Sequence, residues 1–392
     1  MTWLSWISIG LFWASIGLVA YTYAGYPLVL WALTRWRPRD ARKASIQPSV
    51  SIIIAARNEA DKIRRKIEHT LALDYPAGRF EILVASDASD DGTDDIVEEY
   101  GGQGVRLVRA PVRKGKENAQ GLALAAATGD IIVMTDSATI LEPDALRRLV
   151  ENFADPSIGA VSSEDFLVDA AGNPTAEGVY VKFEMWVRRL ESRFHSIVGL
   201  SGSCFAIRRE LCGYWPATLA SDFLSALHAA RAGCRAIADP SARGRFVAVA
   251  STQAEMRRKV RTFLRGITVL MANVDLLNPR RHGRFAVQLL SHKFLRFTAP
   301  ILLVIALVAS ALVGERLYYV AAAAQAAFYL LAYASGGVPR LRQQRLVRVA
   351  HFFTMVQAAM LMAWVKYLMG QQQVTWEPTR RPPITQGAPP SL

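Results

Sequence analysis

The chain has 392 residues, with 46 Lys and Arg against 33 Asp and Glu and a formal net charge of +13. Hydrophobic residues make up 52% and charged residues only 20%, which excludes a disordered basic tail and a small disulfide-stapled module. The length corresponds to two or three domains. Cys204, Cys212 and Cys234 have no metal-ligand spacing and cannot all pair within one chain, so a reducing compartment is expected for the part that carries them.

The stretch from Trp3 to Leu33 contains no charged residue. About twenty residues at ~1.5 Å each already cross a hydrocarbon core. It lacks a basic n-region and a small-residue cleavage site, so residues 1–34 are read as a retained transmembrane anchor rather than a signal peptide. Arg35, Arg37, Arg39, Arg42 and Lys43 follow at once and place the next domain in the cytoplasm by the positive-inside rule.

From residue 48 the pattern changes. Val50–Ala56 is an unbroken apolar run, as in a strand covered on both faces. Asn58 and Glu59 open a helix that runs to about Leu73. Strands are expected at Phe80–Ala85, Val105–Val108, Asp130–Met134 and Gly159–Ser162, with helices at Asp91–Tyr100, Glu117–Ala127 and Leu141–Phe153. This rhythm predicts a mostly parallel sheet with right-handed crossovers. Ligands of such sheets sit at the strand C-termini. Polar residues gather there: Arg57, Asn58 and Glu59, then Ser86 and Asp87, then Thr135, Asp136 and Ser137. A single acid after a strand is as often a helix cap as a ligand, but three such places in one half-domain favour a site. No GxGxxG follows the first strand and no GxxxxGK[ST] run occurs, which disfavours a nicotinamide enzyme or an ATPase.

Past residue 250 the chain turns apolar again. Phe285–Arg296 has the pattern of an amphipathic helix lying on an anionic inner leaflet. Phe297–Val313, Leu317–Ser335 and His351–Met369 follow as apolar stretches, with a basic connection, Pro339–Arg348, before the last. Two or three spans are expected over residues 297–370, then a tail over 371–392. Three full spans after one anchor put the C-terminus outside, whereas the basic Trp376–Arg381 favours inside; the four-span reading is preferred, with an interfacial or re-entrant last segment as its alternative.

The run VSIIIAARNEA, the stretch SDASDDGT from Ser86 to Thr93 and the strand ending in Asp136-Ser-Ala138 together resemble a membrane-bound, inverting glycosyltransferase of family 2, the class of bacterial polysaccharide synthases. The resemblance covers roughly residues 48–300. It implies an α/β fold class: a GT-A-like, Rossmann-type nucleotide-sugar domain over 48–270, inserted between transmembrane helices. It also implies donor-binding roles for Ala56, Asn58, Glu59, Asp87, Lys114, Lys116, Asp136 and Ser137. Asp87 would read the uracil of a UDP-sugar, and Arg113-Lys-Gly-Lys116 with Asn118 would form the basic loop of the same site. Asp136 would hold Mg2+ or Mn2+, although Ala138 stands where the family's DxD has its second acid. Gly202, Ser203 and Cys204 fall in the segment that lines the acceptor side. Asp222 stands in the place of the catalytic base, with Ser221 in place of a first acid. The inverting chemistry needs such a carboxylate to take the acceptor hydroxyl's proton. Glu255–Thr262 replaces the QxxRW motif of processive synthases, and its Arg258 and Arg261 would hold a diphosphate or lipid head group. Ser291–Phe297 resembles a subset of the family with an SHKxLRW segment.

The expected function is transfer of a sugar from a UDP-sugar to a growing polysaccharide at the bacterial inner membrane. A single transfer to a polyprenyl-linked acceptor is the alternative. An inactive homologue serving other biosynthesis or export subunits is a third reading. The positive charge clusters beside apolar segments without a homeodomain, zinc finger or aromatic stacking platform, so membrane lipids rather than nucleic acid are its expected partners.

Overall fold

Every residue of Val50–Ala56, strand β1, is buried, which is why the run carries no polar alternation. Its parallel neighbours are β2 (Phe80–Ser86) and β4 (Ile131–Asp136), and β3 (Val105–Arg109) lies beside β2. The computed structural model describes residues 2–168, 178–247, 252–338, 341 and 344–373. Its Cα framework divides into two units: Leu30–Ala250 with Met271–Gln288 and Gln373–Leu392, and Met1–Val29 with Ser251–Leu270 and Leu289–Gln372.

The first of these units holds one eight-stranded sheet, in the order β3-β2-β1-β4-β7-β6-β8-β5. The remaining strands are β5 (Ile140–Leu141), β6 (Ile158–Val168), β7 (Cys204–Arg208) and β8 (Arg235–Val247). The expected mostly parallel sheet is therefore mixed. β7 enters antiparallel between β4 and β6, so only one half of the sheet follows the βαβ rhythm. Strand order runs outward from β1 through β2 to β3, then returns to β4 on the other side of β1. This reversal opens a crevice at the C-terminal ends of β1 and β4, where ligands of open α/β sheets bind.

Two helix boundaries also move. The helix after β1 starts at Ile63, not at Asn58, because residues 57–62 form a turn in which Asn58 has φ 52°. Leu141–Phe153 divides into β5 and a helix at Ala145–Glu151. The basic run after the anchor is clasped to the sheet unit. Arg39 N–H donates to the Arg193 carbonyl at 2.7 Å, Arg235 donates to the Arg39 carbonyl at 2.6 Å, and Lys43 pairs with Asp239 at 2.6 Å.

Among the described residues, four helices are long and apolar enough to cross a membrane: Trp3–Trp36, Pro279–Leu312, Arg316–Ala334 and Leu346–Leu368. Along the first, Ser5, Ser8 and Ser15 are buried while Trp6, Ile7, Leu11 and Trp13 are exposed. Small polar residues inside and large apolar ones outside are the arrangement of a helix bathed in lipid. Tyr21 OH meets Ser291 Oγ at 3.0 Å, and Gln357 donates to Tyr23 OH at 2.7 Å. Residues 285–296 are not a separate interfacial helix. They run on, through a π-helical turn at Leu290–Phe294, into Leu295–Leu312, and Ser291, His292 and Arg296 are buried. The helix Thr252–Met271 groups with these apolar helices through residue 270, whereas the sequence placed it at the end of the catalytic domain. Its Gly266 explains the close packing: a methyl there would stand 2.9 Å from the Phe297 ring. Part of the basic connection 339–348 and residues 374–392 of the tail lie outside the described residues.

Candidate active site

The crevice is built from four turns of the sheet unit. After β1, the Arg57 guanidinium donates to the Ala88 carbonyl and pairs with Asp90 at 3.1 Å. Asn58 and Asp90 clasp each other, Nδ2 to Oδ1 at 2.7 Å and Asp90 N–H to Asn58 Oδ1 at 3.1 Å. Asn58 and Ala88, at the ends of neighbouring strands, both have positive φ, 52° and 57°. Backbone strain of this kind persists where the surroundings over-determine it, and it gathers at ligand sites.

Glu59 is buried and joins β1 to β4. Its Oε1 accepts from the Ser137 hydroxyl at 2.9 Å and its Oε2 pairs with Lys62 at 3.0 Å. The turn that carries Asp136, Ser137 and Ala138 rests on Lys66, which donates to Thr135 Oγ1 at 3.0 Å and to the Thr139 carbonyl at 2.7 Å. Burial pulls the Lys66 pKa down to about 8, against the pull of Cys204 and Asp136. Local pattern does not single out Lys66, which lies among charged residues in the helix Ile63–Leu71.

Asp87 is wholly buried. Its Oδ1 accepts the backbone N–H groups of Lys114 and Gly115 at 2.9 and 3.0 Å, and its Oδ2 accepts Gly115 N–H at 3.0 Å. This carboxylate fastens the basic loop. Gly115 has φ 96°, a conformation that side chains resist, which is why the loop carries glycine here. Ala56 is 1% exposed, and its carbonyl accepts Asp87 N–H at 3.0 Å.

The loop thus held delivers Lys116, at the start of the helix Lys116–Ala126, to Asp136. Lys116 Nζ lies 2.5 Å from Asp136 Oδ1, with the lysine side chain 12% and the aspartate 36% exposed. Burial opposes the lysine's charge, but the Asp136 carboxylate outweighs it and holds Lys116 above the ordinary lysine range, with Glu117 and Asp222 pulling the same way.

Asp222 reaches the same neighbourhood from the other half of the sheet. Asp136 N–H donates to the Ser203 carbonyl at 3.0 Å, which ties β4 to the loop before β7. The next residue back, Gly202, faces Asp222: a methyl there would stand 2.9 Å from Asp222 Oδ2. Asp222 sits in the first turn of the helix Ser221–Arg231, and its Oδ1 accepts Phe223 N–H at 2.8 Å. Ser221 donates to Gln120 Oε1 at 2.9 Å, so the residue in place of a first acid anchors its helix to Lys116–Ala126. The loop that carries Gly202 is held from below, where the Arg188 guanidinium reaches Ser162 Oγ and the Gly199 carbonyl.

The other candidates divide. Cys204 is buried in the core of the sheet unit. Ser203 Oγ meets Ser201 Oγ at 2.9 Å. Lys114 is exposed. Glu164 is buried and pairs with Arg189 at 2.5 Å. Arg258 is gripped by Glu255 through two bonds of 2.6 and 2.7 Å, and both it and Arg261 lie in the unit of apolar helices. Among the described residues, no group of three or more His, Cys, Asp or Glu converges as a metal cage. Asp136 alone, with diphosphate oxygens and water, matches the way Mg2+ or Mn2+ is held in phosphate sites, by one or two carboxylates plus substrate.

Residues 51–214 match the family described as Glycosyl transferase family 2. An N-acetylglucosaminyltransferase of Mesorhizobium japonicum is 30% identical over 171 residues, 42% of this chain and 40% of that protein. A beta-monoglucosyldiacylglycerol synthase of a Nostoc species is 29% identical over 191 residues, 46% of this chain and 41% of that protein. The aligned part thus spans about two fifths of these curated relatives. A solved mannosyltransferase of Pyrobaculum calidifontis, in complex with GDP-Man and Mn2+, is similar over 94% of this chain and 99% of its own, with a TM-score of 0.71 and 27% identity. The sheet unit therefore has a GT-A-like fold, flanked in sequence by long apolar helices.

Proposed function

We propose that this protein, whose residues 51–214 match Glycosyl transferase family 2, transfers a hexosyl group, with inversion, from a nucleotide sugar to a polysaccharide or glycolipid acceptor at a membrane. The observation that carries this reading is the bridge from Lys116 to Asp222: Lys116 pairs with Asp136, Asp136 N–H donates to the Ser203 carbonyl, and the adjoining Gly202 lies against the Asp222 carboxylate.

In the proposed reaction Asp222 takes the proton of the acceptor hydroxyl as its oxygen attacks the anomeric carbon. The bond from that carbon to the diphosphate breaks, and the nucleoside diphosphate leaves with the electron pair. Lys116 and Lys114 offset the charge that builds on the diphosphate. Asp136 would hold a divalent cation, which when bound supplies further stabilisation of the same charge. Asn58, Glu59 and Ser137 shape the donor side, and Gly202 lets the loop before β7 approach the Asp222 carboxylate closely. The sheet unit lies in the cytoplasm in this account, because the basic residues that follow the first apolar helix mark the inner side.

A UDP-sugar is the proposed donor. A GDP-hexose is the second reading, favoured by the GDP-Man of the mannosyltransferase. The acceptor is a growing glycan, with a polyprenyl-linked sugar as its alternative. Native membranes that hold the protein, incubated with radiolabelled UDP- and GDP-hexoses, test all of these. Label in a water-soluble polymer supports the glycan acceptor, and label in an organic extract supports the lipid. No incorporation from any donor contradicts the proposal.

A further inference from the structure

The cleft holds its own cation. Lys116 Nζ stands 2.5 Å from Asp136 Oδ1, and Asp136 is the one carboxylate in its turn because Ala138 brings none. Ser137, between them, directs its hydroxyl to Glu59. The lysine does not reach Asp136 by chance. Its loop is pinned by the buried Asp87 through the backbone of Lys114 and Gly115, so the ammonium is delivered to a fixed point. The turn that carries Asp136 is fixed in turn by the buried Lys66 below it.

A free divalent cation approaching Asp136 therefore meets an ammonium already there, and the turn 136–138 offers it no second carboxylate. A nucleoside diphosphate changes both terms. It brings two or more anionic oxygens as cation ligands, and it offers the lysine another anion to pair with. Building on the donor-site reading above, we propose that Lys116 is the resident counter-ion of Asp136, so that the divalent cation enters only together with the nucleoside diphosphate, which takes over the lysine as the cation takes over the carboxylate. The lysine thereby makes the cation site conditional on the donor, and the empty cleft carries no metal of its own.

The test uses the full-length protein in detergent micelles and reads Mn2+ binding by electron paramagnetic resonance, with and without UDP or GDP. Protein-free nucleotide titrations supply the correction for Mn2+ bound in solution. For the wild type, Mn2+ affinity rises at least ~10-fold when the matching nucleotide is present. Lys116→Met binds Mn2+ alone at least ~10-fold more tightly than the wild type and loses most of the coupling. Lys116→Arg, which keeps the charge, retains it and controls for folding. If wild type and Lys116→Met bind Mn2+ alone with equal affinity, the counter-ion role is overturned. If neither nucleotide binds to the folded wild type, with or without Mn2+, the donor-site reading itself fails, a distinct result.

Discussion

The Ser137 hydroxyl donates to the Glu59 carboxylate at 2.9 Å, and this bond joins the turn after β4 to the turn after β1 across the crevice. Two strands that are distant in sequence thus share one buried acid at their C-terminal ends. The donor side of the site depends on this tie, because Asn58 lies directly before Glu59 and Asp136 directly before Ser137.

Ser137→Ala is expected to loosen both turns without removing a charge. A hydrogen bond to a charged group contributes about 1.5–3 kcal/mol. If the tie orders the donor site, nucleotide affinity measured by calorimetry falls about 10-fold, with a smaller change in melting temperature. Unchanged affinity would mean that the two turns are held independently.

Asp87→Ala removes the acceptor of the Lys114 and Gly115 N–H groups. Those groups lose a charged partner worth about 1.5–3 kcal/mol. The variant is expected to melt about 5 °C lower, since 1 kcal/mol shifts a domain of this size by roughly 2–4 °C. Nucleotide affinity falls as well, because the loop that delivers Lys116 is released. Direct base reading by Asp87 predicts another pattern: selectivity for UDP over GDP would vanish while the melting temperature held.

His195 sets a pH dependence of stability. Burial, then the charges of Arg39, Arg235 and Arg284, pull its pKa down to about 4. The unfolded chain binds this proton near the ordinary value of ~6.5, so it binds more protons than the folded state between those limits. Stability from this group is complete above pH ~6.5 and is lost as pH falls towards about 4. Melting temperatures of the wild type should drop between pH 7 and 5, and His195→Gln should flatten that part of the curve. Equal slopes for the two proteins would remove His195 from the clasp's titration.

Much of the first half of the sheet was legible. β1, β2 and β4 are mostly apolar runs, and polar residues gather at the C-terminal end of each. The second half was not, because strand direction is decided by pairing and not by local pattern. Nothing in Cys204–Arg208 says that it enters antiparallel beside β4. Asp136 and Asp222 were found as lone acids in a family pattern, but the Lys116–Asp136 pair and the placing of Asp222 against Gly202 are matters of tertiary geometry. Asp87 was assigned from the family resemblance, and its bonds to the Lys114 and Gly115 N–H groups come from tertiary placement that local pattern does not reveal. Residues 285–296 carry an amphipathic pattern, yet their polar side chains are buried among other helices, which periodicity does not reveal.

The account rests most heavily on Asp222 as the base, and one comparison tests it directly. Nucleoside diphosphate release from the cognate donor, with acceptor present, should be measured for the wild type and for Asp222→Asn, alongside donor affinity. The substitution keeps the side-chain shape and can still accept from Phe223 N–H. General base catalysis contributes roughly 10²–10⁴-fold in rate. The account predicts release at least ~100-fold slower with donor affinity unchanged within about 2-fold. Release at the wild-type rate by a variant that binds donor normally would contradict it.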